Sequence, residues 1–451
     1  MIVSNRGPVS FALDDVGQLT TKRGGGGLVT TLGPAVAGTG ATWVAGALSD
    51  ADRKAADAGE VDAEGFHLHM LALDEAAYGS YYDVVSNATL WFLHHGLWDT
   101  PRRPRFDRRW REAWEGYRAI NHAFADEVAS VAPEGAAVLV QDYHLSLVAG
   151  RLRSSRPDLD CVHFHHTPFA SADAFRVLPD HAGRELLEGL AAHRACGFHN
   201  RRWASNFEWS CAEVLGESPR TFVSPAAADA DDVRGVAASD ACATALARLE
   251  EQIGDRAFIV RVDRIELSKN IARGFHAYDD LLRSRPELRG RVVFGAFVYP
   301  SREGLPEYIA YRQEVEGLIE RINEEWGTDD WTPILYDPQD DFPRSIAALR
   351  RSDVLLVNPV RDGLNLVAKE GPIVNERDGV LVLSRESGVW AELADGAVGV
   401  NPFDVAATAD ALHAAITMPA DERRERAARL RELATARSAP DWLGDQLAAA
   451  S

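Results

Sequence analysis

Residues 354–370, VLLVNPVRDGLNLVAKE, pass from an apolar run through a charged turn into a helical pattern. Val354 to Val357 suit a strand buried on both faces, Asp362 and Gly363 mark the turn, and Leu366 to Glu370 begin the helix. In an open α/β sheet, ligands collect at such strand-to-helix loops. Unsatisfied N–H groups at a helix start favour a phosphate, and a carboxylate in the preceding loop can accept hydrogen bonds from sugar hydroxyls. An ordinary strand–turn–helix with Asp362 as a cap fits the same residues.

The pattern repeats outward in both directions. IVSNR, ATWVAG, FHLHML, AAVLVQDY and CVHFHH alternate with helical stretches in the first half, and AFIVRVDR, RVVFGAFV, VLLVNP and GVLVLS do so in the second. Such alternation predicts α/β architecture, with parallel sheets covered by helices. Between the halves, residues 224–241, SPAAADADDVRGVAASDA, carry little periodic apolar content and read as a linker. The tail from Pro419 to Leu447 reads as charged helix, with Pro440 breaking it and redirecting the last segment.

A chain of 451 residues is long enough for two domains, each with its own core. The apolar content of 46% and charged content of 26% are those of a soluble globular protein. With no run of about 18 apolar residues and no signal-type leader, the expected location is the cytoplasm, with no membrane partner. A formal net charge of −20 argues against nucleic-acid binding, because phosphate backbones demand basic surface. Cys161, Cys196, Cys211 and Cys242 lack metal-ligand spacing and read as free thiols, so no metal is expected.

Several constellations carry chemistry. Arg264 and Lys269 follow a strand in RVDRIELSKN, where two cations suit a diphosphate, although pairing with Asp263 and Glu266 on the surface is the plainer reading. Gly24 to Gly27 open a helix-like segment and let backbone approach an anion or sugar, yet match neither the dinucleotide nor the P-loop fingerprint. SYYDVVSNATLWFLHHGLWD, from Ser80 to Asp99, concentrates aromatics beyond the needs of a plain strand. VQDYHL and HFHHTPF each end a strand. His165 and His166 are adjacent on theirs, point to opposite faces, and so read as hydrogen-bonding groups, not as ligands of one metal ion.

Taken in order, SNRGPVSF, GGLVTTL, YYDVVSNATLW, VQDYHL, HFHHTPF, DRIELSK, YPSRE and RDGLNLVAKE resemble the trehalose 6-phosphate synthases, retaining glycosyltransferases of the GT-B architecture, over nearly the whole chain. The resemblance implies two Rossmann-like, doubly wound domains facing across a cleft: residues 1–230 for the acceptor and 231–437 for the nucleotide sugar, with a last helix at about 438–451 packed back on the first. It implies glucosyl transfer with retention, from GDP-glucose or UDP-glucose to glucose 6-phosphate. No cofactor is implied, and a homo-oligomer is left open.

Residue by residue, Arg264 and Lys269 match the family's diphosphate cations, Asp362 the acid holding donor hydroxyls, His166 the histidine beside the donor sugar, and Glu370 the ribose-binding carboxylate. Gly26 and Gly27 match the glycines that approach the donor, and the backbone of Asn365, Leu366 and Val367 matches its phosphate contacts. Arg6, Tyr82, Trp91 and Asp142 match acceptor contacts, with Arg302 and Arg344 contributed by the second domain. IELSKN in place of the usual LDYSKG, and Leu364 in place of a frequent Met, depart from the common pattern near the donor and resemble an actinobacterial branch. A pseudo-glycosyltransferase similar to validoxylamine 7'-phosphate synthase, or a catalytically silent sugar-phosphate sensor, are the rival readings. Arg361, Asp362, Gly363, Lys369 and Glu370 all persist, which speaks against the first, and the complete donor and acceptor sets speak against the second.

Overall fold

A computed structural model describes residues 1–14, 18–23, 27–57, 59–302 and 304–451. The chain divides into two compact units, Met1–Ala226 with Ala439–Ser451, and Ala227–Ser438.

The first unit is built on an 8-stranded sheet. From edge to edge it runs Thr221–Val223, Ala195–Phe198, Asp160–His165, Ala137–Gln141, Ile2–Ser4, Thr42–Ala47, Phe66–Ala72 and Glu60–Ala63. Neighbours are parallel except for the last pair, which is antiparallel. The chain begins in the middle, builds outward one way, then returns to the other side of Ile2–Ser4. The order therefore reverses between Ile2–Ser4 and Ala137–Gln141.

The second unit repeats the plan with a 6-stranded, all-parallel sheet. Its strands run Ile334–Asp337, Val292–Pro300, Ala257–Ile265, Val354–Val357, Val380–Ser384 and Val398–Val400. Here the order reverses between Ala257–Ile265 and Val354–Val357. Every residue of Val354–Val357 and of Val380–Ser384 is buried, as strands covered by helices on both faces require.

Two expectations need correction. The linker does not extend through residue 241: Ala230–Ala237 and Asp240–Ile253 are helices, capped by Asp229 and Ser239 through side-chain bonds to first-turn N–H groups. An Ala- and Asp-rich stretch hides these starts because Asp serves as cap and Ala as helix former, leaving little apolar periodicity. Pro440 breaks no helix. The charged helix ends at Ala434, and Pro440 lies in the first turn of Ala439–Ala450, where its missing N–H costs nothing. Residues 80–91 form a π-helical segment continuing into the helix Phe92–His95, with Thr89 Oγ1 donating to the Val84 carbonyl at 2.8 Å. Helical segments of this wide type cluster at functional sites.

The helix Ala439–Ala450 packs within the first unit. Trp442 is fully buried with its ring edge-on to Phe164 at 4.9 Å, and Gln446 accepts from Gln141 Nε2 at 3.0 Å. The four cysteines are buried free thiols. Among the described residues, no helix is long and apolar enough to cross a membrane.

Strand Asp160–His165 carries an unusual load of histidine. His163 and His165 are fully buried, with Nε2 of the first 3.4 Å from Nδ1 of the second. His193 and His94 lie against them at ring distances of 5.1 and 4.8 Å. Burial holds His163 and His165 well below the usual imidazole range, each helped by neighbouring histidines, and lowers His193 to about 4. Above pH 6.5 these rings are neutral folded or unfolded; below it the unfolded chain takes up protons first, so stability falls as pH drops from 6.5 toward 4. Each ring forfeits about 1.4 kcal/mol per pH unit, hence about 2 kcal/mol between pH 6.5 and 5. His193→Asn keeps a donor for the Leu190 carbonyl and is expected to flatten the acid limb of a melting-temperature profile; an unchanged limb would rule the ring out.

Candidate active site

In the first unit, the expected residues gather where the strand order reverses. Arg6 follows Ile2–Ser4, and Asp142 follows Ala137–Gln141. Arg6 Nη2 donates to Tyr82 Oη at 3.3 Å, with the guanidinium 5.5 Å from the ring centre. Tyr82 stacks between Tyr78 at 5.5 Å and His144 at 5.9 Å. Asp142 sits at φ 71°, a left-handed backbone, with its carboxylate accepting from Tyr143 N at 2.9 Å and lying 3.7 Å from His144 Nδ1. Trp91 closes the π-helical segment and stacks on His95 at 3.9 Å.

His166, half-buried, lies just past the strand end at His165 and contacts a different set of side chains. Its Nε2 lies 3.0 Å from Gln141 Oε1, its ring is edge-on to Trp442, and burial lowers it to about 3. It is therefore a neutral hydrogen-bonding group at neutral pH. Gly27 begins the helix Gly27–Val36, while Gly26 lies outside the described residues.

Sequence reasoning missed Asn5, which links Tyr78 and Tyr81 through hydrogen bonds of 3.2 and 3.1 Å, and His144, which completes the aromatic wall. Both lie inside quoted motifs, SNRGPV and VQDYHL. Their partners are separated by tens of residues, so no local signal marks them.

In the second unit, two loops far apart in sequence meet where that sheet's order reverses. Lys269 Nζ is 2.6 Å from Asp362 Oδ2 and 3.8 Å from Asp263 Oδ1. Burial opposes the ammonium charge, but Asp362 and Asp263 outweigh it and hold the lysine above its ordinary range. Asn365, at φ 103°, donates to the same Asp362 oxygen at 3.2 Å, and its Oδ1 accepts from Ala368 N at 3.1 Å, in the first turn of the helix Val367–Val374. The backbone of Leu366 and Val367 forms that helix start, where the first amides lack intrahelical acceptors.

Glu370, one turn on, makes no side-chain hydrogen bond or ion pair among the described residues. Burial, with Asp232 adding to it, pushes its carboxyl up to about 7. A half-buried carboxyl lacking a protein donor is suited to accept hydroxyl donors from a ligand.

Arg264 and Arg302 converge on one carboxylate. Each places a guanidinium nitrogen 3.1 Å from Glu266 Oε1, which also accepts from Ser301 Oγ at 3.1 Å. The plainer sequence reading, a surface pair, is corrected here, because the Glu266 side chain is 0% exposed against 46% for Arg264. An anchored base thus aims a partly exposed cation outward. Arg344 is not brought into this group: it ion-pairs with Asp337 and lies 5.7 Å from the Phe297 ring.

Beneath the loops, wholly buried Arg261 binds Asp263 at 2.9 Å, Asn358 Oδ1 at 2.7 Å and the Lys269 carbonyl. Asn270 donates to the carbonyls of Asn358 and Pro402 at 2.9 and 2.8 Å. These bonds lock the Lys269 loop to the strand leading to Asp362. Neither Arg261 nor Asn270 was expected as part of the site. Among the described residues no cluster of potential metal ligands occurs.

Two doubly wound units, each with polar side chains at its topological switch point, are the plan of the GT-B class. The chain belongs to glycosyltransferase family 20, whose family model matches residues 1–451. It is 32% identical to a trehalose-6-phosphate synthase of Mycolicibacterium smegmatis, over 98% of this chain and 90% of that one. It is 33% identical to a bifunctional trehalose-6-phosphate synthase/phosphatase of Thermoproteus tenax, covering 84% of this chain and 52% of that protein, so it spans about half of that relative. Among solved structures, an α,α-trehalose-phosphate synthase (UDP-forming) from Burkholderia xenovorans in complex with glucose-6-phosphate superposes with a TM-score of 0.85 at 28% identity, covering 100% of this chain and 99% of that one.

Proposed function

We propose that this chain transfers glucose, with retention at the anomeric carbon, from a nucleoside-diphosphate glucose to glucose 6-phosphate, forming α,α-trehalose 6-phosphate. The observation that carries this reading is the meeting of Lys269, Asp362 and Asn365 at the second unit's switch point. A diphosphate competes for Lys269 and a sugar hydroxyl for Asp362, so the ligand-free ion pair exchanges for two ligand contacts.

In this reading the second unit holds the donor. Arg264 and Lys269 take the diphosphate, Asn365, Leu366 and Val367 meet it through backbone, Asp362 binds glucose hydroxyls, and Glu370 the ribose. The first unit holds the acceptor on Arg6, Tyr82, Trp91 and Asp142, with Gly26, Gly27 and neutral His166 beside the donor sugar. Arg302, tied to the same carboxylate as Arg264, serves the acceptor phosphate.

The bond from C1 to the β-phosphate oxygen breaks, its electrons leaving with the diphosphate. The acceptor's anomeric hydroxyl forms the new bond to C1 on the same face, and its proton passes to the departing diphosphate. No protein nucleophile is needed. Arg264 and Lys269 act where negative charge develops, which is where a fixed cation lowers the barrier most.

The donor is UDP-glucose or GDP-glucose. Incubating the protein with glucose 6-phosphate and UDP-, GDP- or ADP-glucose, with mass detection of trehalose 6-phosphate, is expected to give product with at least one of the first two. No disaccharide phosphate from any donor overturns the proposal.

A further inference from the structure

The second unit carries an open cavity of about 530 Å³ apart from the loops that join Lys269 to Asp362. One wall is a face of the helix Asp240–Ile253, presenting Asp240, Thr244, Arg248 and Gln252 at successive four-residue steps. The other wall is Gln339, Asp341 and Arg344, at the turn that follows Ile334–Asp337 and starts the helix Phe342–Arg351.

Two guanidinium groups thus serve one cavity. Arg344 is held below its ordinary range by burial and by the charge of Arg248, so the two are near enough to repel. Asp337 compensates Arg344, whereas Arg248 makes no hydrogen bond or ion pair among the described residues. Asp341 caps its own helix by accepting from Arg344 N at 3.1 Å, and Gln339 and Gln252 add amides. A phosphate pairs with the uncompensated Arg248, and polyol hydroxyls suit the carboxylates of Asp240 and Asp341 and the amides beside them. The volume is that of a small-metabolite site.

We propose that this cavity is a separate binding site for a small phosphorylated polyol, with Arg248 as its principal phosphate ligand. None of Arg264, Lys269, Asp362 and Glu370 lines it. The site therefore goes beyond the proposed transfer reaction and stands whether or not that reading survives.

The test uses the full chain and isothermal titration with glycerol 3-phosphate, inorganic phosphate and glycerol. Glycerol 3-phosphate is expected to bind more tightly than phosphate, and glycerol not at all. Arg248→Ala is expected to weaken glycerol 3-phosphate at least about tenfold, Arg248→Lys less, with unchanged melting temperature and unchanged turnover in phosphate-free buffer. Equal affinity in Arg248→Ala, or displacement of glycerol 3-phosphate by the nucleotide sugar alone, overturns the site. Phosphate binding as tightly as glycerol 3-phosphate overturns its assignment to a polyol.

Discussion

Replacing Arg264 with alanine is expected to lower turnover by about 10²–10³-fold while shifting the melting temperature by no more than a few degrees. In the proposed reaction the activity term comes from removing one fixed donor at the leaving diphosphate, a change that costs about 2.7–4 kcal/mol at comparable charge-stabilising positions. The stability term is small because the Arg264 side chain is 46% exposed and the buried Glu266 keeps both Arg302 and Ser301. An ion pair with one partner in solvent contributes about 1 kcal/mol or less, which is a few degrees for a unit of this size. Steady-state kinetics with the preferred donor, beside calorimetry, separates the two effects. Turnover within about twofold of the parent would remove Arg264 from the catalytic set.

Arg261→Met is the complementary case, with a large loss of stability. Its guanidinium is wholly buried and satisfies Asp263, Asn358 and the Lys269 carbonyl together. Burial already raises the Asp263 carboxyl above its ordinary range, with Arg261 and then Lys269 opposing the shift. Without Arg261, Asp263 retains only Lys269, at 3.8 Å, among the described residues. Breaking a buried pair from one side costs about 3–5 kcal/mol, or about 10 °C in the second unit. Arg261→Met combined with Asp263→Asn is expected to recover part of that loss, since no uncompensated charge remains. Gly274→Ala should act in the same direction, because a Cβ there would lie 2.6 Å from Arg261 Nη1. A shift below about 2 °C in Arg261→Met, measured by calorimetry, would show that the network is not what holds the loop.

The two residues were unequally legible. Arg264 stands at a strand end in a motif whose charge pattern is visible, so a chemical role could be read from the chain. Arg261 sits in AFIVRV, where it breaks an apolar run without any local hint of its partners. Its importance follows from Asn358, 97 positions away, and from the absence of a side chain at Gly274. The same limit applies to whole elements. Long apolar strands such as Ala257–Ile265 and Val292–Pro300 were readable, whereas Thr221–Val223, Ile334–Asp337 and Val398–Val400 were not. Runs of three or four residues at or near a sheet edge carry too little periodicity to stand out.

The sequence by itself determined the class of fold and the cast of the site. Buried parallel strands must be apolar throughout, turns must carry Gly, Asp and Pro, and cations and carboxylates must stand at strand ends where ligands collect. Those demands are local, so they are written locally. Only the tertiary structure decided that Lys269 meets Asp362, that Glu266 gathers Arg264 and Arg302, and that Arg344 turns instead toward Asp337 and Arg248. The long-range pairings, Lys269 with Asp362, Glu266 with Arg302 and Arg344 with Arg248, depend on strand order, which places residues tens of positions apart side by side. Strand order is set by how sheet and helices pack together, a property of the whole unit that no short stretch contains.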